Sequence, residues 1–453
     1  MEPESPAEEM LLAALAEGKP CEVGKERPEK ATQTNTIRAA FLRHLLIDPK
    51  ARGDVQLQGA WIEGEVDLSF ATVRPFLLEN CCIPDGIYGP GATCTTLALP
   101  GTHTGPLTLD GATIAGGVFL RNGFRAQGEV RLLGARIGGQ LDCSGGAFHN
   151  QKEYALNGDG MRVEGNVFLC DTRNNKGEVL SHFTAEGEVN LAGAQIGGQL
   201  DCSGGMFCNP GKRALTLQGV RVEQSFMLRG ADIQGTLNLD AAHVRDMCDA
   251  PDSWPTNISL DGFTYDRIVG GAPTDAKTRL EWLGRQPPKH HTTDLRPQPW
   301  RQLIAVLRTM GHDEAAREVG IDLRRRQWDA LLTAWWNKGA YISYPLAFLA
   351  RWGWWAPMCN YGMEPVRLVA IMILAWFVGG SFYADAPWLD DDACWPFVYS
   401  LELMLPVLSL GQAGRACVPE GLEWEALTWL QTIFGWAGAL TLTAIATRLV
   451  RRD

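Results

Sequence analysis

Two aspartate–cysteine pairs hold equivalent places in a stretch that the sequence repeats. GEVRLLGARIGGQLDCSGGAF occupies residues 128–148 and GEVNLAGAQIGGQLDCSGGMF occupies residues 187–207, with 17 of 21 letters identical. An aspartate precedes Cys143 in the first copy and Cys202 in the second, and a serine follows each cysteine. A thiol or hydroxyl nucleophile needs a base beside it, and no histidine recurs with these pairs. We therefore interpret both cysteines as part of a stack in the core.

Other potential chemical groups lack the spacing that a site requires. Cys81 and Cys82 are adjacent, without the two-residue gap of a redox or zinc pair, and His290 and His291 stand in a proline-rich stretch without a third ligand. No G-x-G-x-x-G pattern for a dinucleotide lies between a strand and a helix. The sequence therefore predicts no catalytic residue, no metal ligand and no cofactor, and we do not expect an enzyme.

The charge and the cysteine content restrict the partners and the compartment. The 453 residues include 41 Lys and Arg against 52 Asp and Glu, a net charge of -11. This balance argues against a nucleic-acid partner and against simple attraction to anionic lipid. The acidic start lacks the basic and apolar regions of a secretory signal, so most cysteines are expected to be reduced. Residues 1–30 are expected to be mobile.

Apolar residues recur every eleven positions, and this period defines the element that must position everything else. Leu217, Leu228 and Leu239 form one such series. Glycine pairs interrupt the units, so short β-segments joined by tight turns fit the pattern and a helix does not. Two units make a coil of about 22 residues. We predict a right-handed parallel β-solenoid of nine or ten coils over residues 54–270.

One stretch of the repeat, GADIQGTLNLDAAHV at 230–244, resembles the A-(D/N)-L-x-x unit of pentapeptide-repeat β-helices. Small residues such as Ala135, Ala194 and Ala231 are expected at tight corners. Some members of that family imitate duplex DNA, and residues 51–262 hold 24 acids against 15 bases, although a solvated surface explains the same excess. We expect an unknown protein or small-molecule ligand on the solenoid.

Helical segments are predicted on both sides of the solenoid. In the N-terminal region, residues 1–53, TNTIRAAFLRHLLI at 34–47 has an apolar face that would cap the first coil. In the connector, residues 271–330, a linker precedes a helical hairpin broken near Gly311, which resembles one tetratricopeptide-like unit.

Residues 331–453 are typical of a membrane module. A tryptophan-rich interfacial helix is followed by two apolar stretches, 366–384 and 426–447, each long enough to cross about 30 Å of hydrocarbon. Basic residues flank the outer ends, and acids dominate the loop between, so both termini are predicted to be cytoplasmic at a bacterial inner membrane. The basic flanking residues are Arg324, Arg325, Arg326, Arg367, Arg448, Arg451 and Arg452.

The loop between the two stretches would then face an oxidising space, so we predict that Cys394 and Cys417 pair. Residues 395–412 are apolar but too short for a span, as in a re-entrant segment. This order of elements resembles the two-helix-plus-pore-loop module of ion channels: a helix, a short re-entrant helix, a turn and a second helix. The resemblance implies a tetramer or pentamer, with these pore-lining candidates: Glu402, Pro406, Ser409, Gly411 and Gln412.

The order of elements in the whole chain is similar to a group of bacterial proteins labelled membrane-associated oxidoreductases, through NTIRAAFLRHLL, PQPWRQLIAVLRTMGHDEAAREV and RLVRRD. We predict a membrane-anchored protein whose cytosolic β-solenoid senses or binds a partner and is coupled to a channel-like, oligomeric pore. The main alternative is a non-conducting, membrane-tethered scaffold for protein–protein interaction. An oxidoreductase is a third alternative, for which no residue supplies a redox motif.

Overall fold

The computed structural model describes residues 1–48, 53–292, 294–337, 365–386, 394–405 and 421–450, together with 358, 360 and 410. The chain divides into two compact units, Met1–Val319 and Gly320–Asp453. The described α-helices are α1 Pro6–Glu17, α2 Ala39–Ile47, α3 Ala276–Leu283, α4 Gln298–Thr309, α5 Asp313–Asn337, α6 Pro365–Ala384, α7 Pro396–Met404 and α8 Leu422–Val450, with 3-10 helices at Pro251–Ser253 and Pro288–His291.

The strands that the structure describes are numbered in chain order. Strands β1 to β17 run over Cys21–Glu22, Thr36–Arg38, Val55–Gln58, Trp61–Glu63, Val66–Asp67, Thr72–Val73, Phe76–Glu79, Cys82–Ile83, Ile87–Tyr88, Thr93–Cys94, Leu97–Ala98, His103–Thr104, Leu107–Thr108, Thr113–Ile114, Val118–Phe119, Arg125–Gln127 and Val130–Arg131. Strands β18 to β33 run over Arg136–Ile137, Leu141–Asp142, Ala147–Asn157, Arg162–Val163, Val167–Phe168, Thr172–Arg173, Val179–Ser181, Thr184–Asn190, Gln195–Ile196, Leu200–Asp201, Met206–Thr216, Arg221–Leu228, Asp232–Asn238, His243–Asp249, Asn257–Ser259 and Thr264–Ile268.

The first unit is a parallel β-solenoid of about 10 turns with about 22 residues per turn, which confirms the predicted fold class. Its strands form one 17-stranded and one 14-stranded sheet, in which each strand pairs in parallel with the equivalent strand of the next turn, while β23 and β24 form a separate antiparallel pair. Thr93 of β10, for example, lies in register with Thr72 on one side and Thr113 on the other. Each sheet combines two columns of strands. In the 14-stranded sheet, the column β4–β8–β12–β16 and the column β5–β9–β13–β17 join at the long strand β20.

The eleven-residue period arises because the chain turns through a left-handed backbone conformation at each corner. Residues with φ between 54° and 75° stand at one corner of successive turns: Phe70, Gly91, Gly111, Gly134, Gly160, Gly193, Gly219, Ala241 and Gly262. Only glycine adopts this region without steric strain. The small residues that follow this corner, among them Ala135 and Ala194, are completely buried.

The long sequence repeat spans two turns of the solenoid. Val130 lies in register with Leu156, and Leu156 lies in register with Val189. The turns are longer here because β20 is an 11-residue strand with an outward excursion, and because β23 and β24 form an antiparallel hairpin. Inside these turns, four phenylalanines stack with ring centroids 5.3 to 5.6 Å apart: Phe124, Phe148, Phe183 and Phe207.

The start of the chain forms a helix and a paired strand, where the sequence predicts a mobile segment. Helix α1 begins at the N-cap Ser5, whose hydroxyl accepts from the Glu8 amide. The buried Glu8 carboxylate forms an ion pair of 2.7 Å with Arg38. Strand β1 then pairs in parallel with β3, placing Cys21 opposite Leu57. The composition of this segment indicates disorder, but these long-range contacts stabilise it.

The cap helix is shorter than the predicted 34–47. Residues Thr36–Arg38 form β2 and pair with Trp61–Glu63, and the helix begins only at Ala39. Helix α2 buries Phe41 completely, and with it Leu42, Leu45 and Leu46. Because these side chains cover the first turn, the apolar interior of the solenoid is closed at this end.

The last turn is closed by the segment that the sequence presents as a linker. Arg279 of α3 is completely buried, and its guanidinium donates two hydrogen bonds of 2.8 Å to the carboxylate of Asp249. The rings of Trp254 and Trp282 lie 5.7 and 5.5 Å from the guanidinium carbon. Helix α4 adds Gln302, whose side-chain amide donates to the carbonyl of Tyr265 on β33.

In the second unit, α6, α7 and α8 pack against one another. The Ser400 hydroxyl on α7 donates to the Trp376 carbonyl on α6 at 2.9 Å, and the Gln431 amide on α8 donates to the Ser400 hydroxyl at 2.5 Å. The backbones approach so closely that a Cβ on Gly435 would lie 2.3 Å from the Met404 carbonyl oxygen. Small residues and interhelical hydrogen bonds are typical of helix packing in membranes.

Candidate functional site

The structure describes two helices that are long and apolar enough to cross a membrane, Pro365–Ala384 and Leu422–Thr447. Only 17% and 22% of their most apolar windows are buried inside the unit, which is unlike the core helix of a soluble protein. Their exposed apolar side chains include Ile373, Leu374, Phe377, Trp429, Leu430 and Ile433.

Of the predicted pore-lining residues, Glu402 is described, and it lies half-buried on the short helix α7. Pro406, Ser409, Gly411 and Gln412 lie outside the described residues. The described helix of the predicted re-entrant segment, α7, has nine residues.

Cys394 is buried and disulfide-bonded. Its predicted partner, Cys417, lies outside the described residues, so the pairing stays a prediction.

The structure describes the side chains of four of the seven predicted basic flanking residues. Arg324, Arg325 and Arg326 lie on α5, where the Arg326 guanidinium forms an ion pair of 2.7 Å with Asp322. Arg367 is exposed in the first turn of α6. The side chains of Arg448, Arg451 and Arg452 lie outside the described residues.

The repeated cysteines are core residues without nucleophilic character. Cys143 and Cys202 are completely buried, and burial raises the pKa of both thiols well above the ordinary value. They do not form a continuous stack of cysteines. The backbone amide of Cys143 bonds to Phe168 and that of Leu169 bonds to Asp201, so the turn that carries Leu169 lies between the two cysteines.

A different set of side chains forms a candidate site, on the outer surface of the 14-stranded sheet. On successive turns the following residues lie in register and point outward: Trp61, Cys82, His103, Arg125, Ala147, Thr184, Met206 and Asp232. A second row, two residues further along each strand, consists of Gln127, His149, Glu186, Cys208 and Gln234. Each turn contributes one rung to these rows, and adjacent rungs are about 4.8 Å apart. We call the surface formed by the two rows the ladder face.

Two grooves lie on the ladder face. Groove A encloses about 790 Å³ and is lined by Trp61, Cys82, His103 and Gln127, among others. Its wall is an arm, residues 23–29, which crosses the sheet after β1. The amides of residues 23 and 24 both donate to the Gln58 carbonyl, and the Arg27 guanidinium donates to the Gly101 carbonyl at 3.2 Å.

Basic groups surround His103 in groove A. The pKa of His103 is lowered to about 4, first by burial and then by the nearby charges of Arg27, Arg125 and His149. His103 is therefore neutral near pH 7, and one of its ring nitrogens accepts while the other donates.

Groove B encloses about 780 Å³ between the outward excursions of β20 and β28. Here the Gln151 side-chain amide donates to the Glu186 carboxylate at 2.9 Å, and His149 Nδ1 lies 3.3 Å from the same carboxylate. The hydrogen bond from Gln151 lowers the pKa of Glu186. His149 Nε2 is buried and has no hydrogen-bond partner in the part of the chain that the structure describes. Groove B therefore presents hydrogen-bonding groups of both signs of charge.

The sequence alone does not reveal the ladder face, because the number of residues between successive rungs varies. It is 21 from Cys82 to His103 and 37 from Ala147 to Thr184. The excursions change the spacing, so a search at a fixed period loses the register. The arm was missed because its composition indicates disorder. Among the described residues, no group of three or more acids, histidines and cysteines has a geometry that could hold a metal ion.

Comparisons with protein-family models, with curated proteins and with solved structures return no match. The fold defines the class: a capped parallel β-solenoid, followed in the chain by a helical unit that contains two candidate membrane spans.

Proposed function

We propose that this chain is a membrane-anchored binding protein whose ladder face holds a partner or ligand, while α6 and α8 fix it in a bacterial inner membrane. The observation that carries the proposal is the pair of grooves, about 790 and 780 Å³, on one face of the solenoid. Cavities of this size suit small ligands or segments of a partner. The apolar side chains exposed on α6 and α8 support the anchor.

Extraction of the full chain tests the anchor. We expect it to stay with the membrane fraction after an alkaline carbonate wash and to be released only by detergent. Recovery in the aqueous fraction without detergent would contradict the anchor. A cytoplasmic reporter fused after Asp453 is expected to be active, since the arginines at the outer ends of both spans favour the cytoplasmic side.

Thiol labelling tests the binding role of the ladder face. We compare Gln127→Cys in groove A and Gln234→Cys in groove B with Thr113→Cys, which is exposed on the 17-stranded sheet. In native membranes an occupied ladder face would slow maleimide labelling at positions 127 and 234 relative to purified protein. The control at 113 is expected to label equally fast in both preparations. Equal rates at all three positions would contradict the proposal.

A second candidate function, a channel-like pore in an oligomer, is supported by one observation. The nine-residue helix α7 packs between the two candidate spans and carries the half-buried carboxylate of Glu402. Acidic residues at membrane depth commonly face water or an ion path. We expect purified chain in a planar bilayer to conduct, and Glu402→Ala and Glu402→Lys to change the current. Zero current from all three proteins would remove this candidate.

A further inference from the structure

The cations around groove A form no ion pair among the described residues, although the solenoid as a whole carries more acids than bases. Lys25 and Arg27 on the arm and Arg125 on β16 form no ion pair with any described residue. Some other arginines of the solenoid are paired, as Arg131 is with Asp110 at 2.6 Å, whereas Arg136 also forms no ion pair with a described residue. Cations that form no ion pair favour an anion at the groove. The charge of Arg125 also acts on Glu186 of the second row.

The positions of these cations follow from the fold. Arg125 stands next to the lining residues of the groove: it lies in register with His103, one turn further along, and its charge acts on the His103 ring. Arg27 is fixed above the same floor because its Nη1 is bonded to the Gly101 carbonyl. That contact uses one of the five donors of the guanidinium, so the others remain available. Glu26 and Glu29 also line the groove, but no acidic group contributes to the electrostatic environment of His103.

The remaining lining suits the uncharged part of an organic anion. Trp61 forms the first rung of the ladder and offers an aromatic surface beside the cations. Asn80 and Gln127 add side-chain amides that both donate and accept. A volume of about 790 Å³ is within the usual range for small-molecule sites.

We propose that groove A binds a soluble phosphate ester that carries a ring, of about the size of a mononucleotide, with the phosphate between Arg27 and Arg125 and the ring against Trp61. This inference rests on the proposed binding role of the ladder face and names the ligand class of one groove. The neutral His103 ring adds a hydrogen bond to the same group, as donor or acceptor.

Titration calorimetry of the full chain in neutral detergent tests the ligand class. The probes are AMP, ribose 5-phosphate, inorganic phosphate and adenosine. We expect AMP to bind most tightly, since it offers both the charge and the ring, and its affinity to fall as salt is raised. Adenosine binding as tightly as AMP would overturn the anion site, and so would the absence of binding by any probe at millimolar concentration. Vesicles with phosphatidic acid that compete with AMP would overturn the assignment to a soluble ligand.

Variants locate the site. Arg27→Gln and Arg125→Gln are each expected to weaken AMP binding at least tenfold, because each removes charge-assisted hydrogen bonds to phosphate. Arg27→Lys keeps the charge and is expected to restore part of the affinity. The matched control is Arg136→Gln, an exposed arginine on the 17-stranded sheet.

The outcomes separate this inference from the proposed function. Arg27 and Arg125 are exposed, so their variants are expected to retain the circular dichroism spectrum and the thermal midpoint of the wild type. AMP binding that is unchanged in both variants would overturn the inference. If no probe binds and the cysteine at position 127 is still shielded in membranes, the binding role survives and the ligand class is wrong. If labelling is unshielded and AMP nevertheless binds, the ligand class stands and the occupied state in membranes is contradicted.

Discussion

The buried ion pair at the end of the solenoid gives a prediction whose magnitude follows from the structure. Arg279 and Asp249 have side-chain exposures of 0% and 4%, and their contacts include two hydrogen bonds of 2.8 Å. Arg279 also donates a hydrogen bond of 2.7 Å to the Pro273 carbonyl, and Trp254 Nε1 donates a hydrogen bond of 2.8 Å to the Asp249 carboxylate. In Arg279→Met the aspartate keeps only the Trp254 donor among these contacts and remains buried.

Removing one partner of a buried ion pair costs about 3–5 kcal/mol, because the other charge is left uncompensated. A solenoid opens locally, so this loss is expected in the turns next to the cap. Hydrogen exchange followed by mass spectrometry measures it residue by residue. The amides of β31 and β33 are expected to exchange about two to four orders of magnitude faster, since each factor of ten corresponds to about 1.4 kcal/mol. Amides of β14, in the middle of the solenoid, are expected to keep their rates.

A matched control lies in the same two turns. Arg267 and Asp246 also form a 2.8 Å ion pair, but the arginine side chain is 56% exposed. Arg267→Met is therefore expected to cost less than about 1 kcal/mol. The double variant Arg279→Met, Asp249→Leu is expected to be less destabilised than the sum of its single variants, because no charge remains buried. Equal effects of Arg279→Met and Arg267→Met, or full additivity in the double variant, would refute the reasoning.

Three further predictions concern the corner, the ladder face and the helical unit. Gly134→Ala is expected to destabilise the chain by about 1–2 kcal/mol. The cost comes from the backbone φ of +61° alone, because a Cβ at this position meets no atom within 4 Å. Ala241→Gly is expected to stabilise the chain by about 1 kcal/mol, and urea unfolding midpoints measure both changes. The pKa of His103 is lowered to about 4, so between pH 6.5 and 4 the unfolded chain binds a proton at this ring and the folded chain does not. The free energy of unfolding therefore falls as the pH drops from about 6.5 towards 4. His103→Gln is expected to lose less stability over the same pH range. Gly435→Val is expected to force α8 away from Met404 and to lower the thermal midpoint in detergent, with Ala444→Val on an exposed position as control.

Each of these predictions has an outcome that contradicts it. A stabilising Gly134→Ala would show that the corner does not impose the left-handed conformation. Identical pH dependence in wild type and His103→Gln would show that the ring is not desolvated in the folded chain. Equal thermal midpoints for Gly435→Val and Ala444→Val would show that the helices do not approach closely at Gly435.

The eleven-residue period was sufficient to predict the solenoid and its turn length because the pattern is local. A left-handed corner needs glycine, and an apolar residue must follow at a fixed distance, so each unit carries its own signal. The two candidate spans were equally accessible, since twenty apolar residues in a row are a compositional signal.

What the sequence did not provide depends on contacts between distant residues. The strand pairing that places Cys21 opposite Leu57 joins residues 36 positions apart, and the composition of this acidic, proline-containing segment does not predict it. Arg279 likewise belongs to a stretch that is typical of a linker, and its partner Asp249 lies 30 positions earlier. The ladder face depends on register, and the excursion in β20 shifts that register by an amount that no period predicts.

The two caps restrict where the solenoid can bind. An open end exposes the unpaired edges of a turn, and such edges recruit further strands. Here α2 covers the first turn with Phe41, and α3 and α4 cover the last, so neither end offers an apolar interior for addition of another chain. Binding through the solenoid is then directed to its sides. Of the sides, the ladder face combines two grooves with the arginines Arg27 and Arg125, and we expect a ligand to bind there.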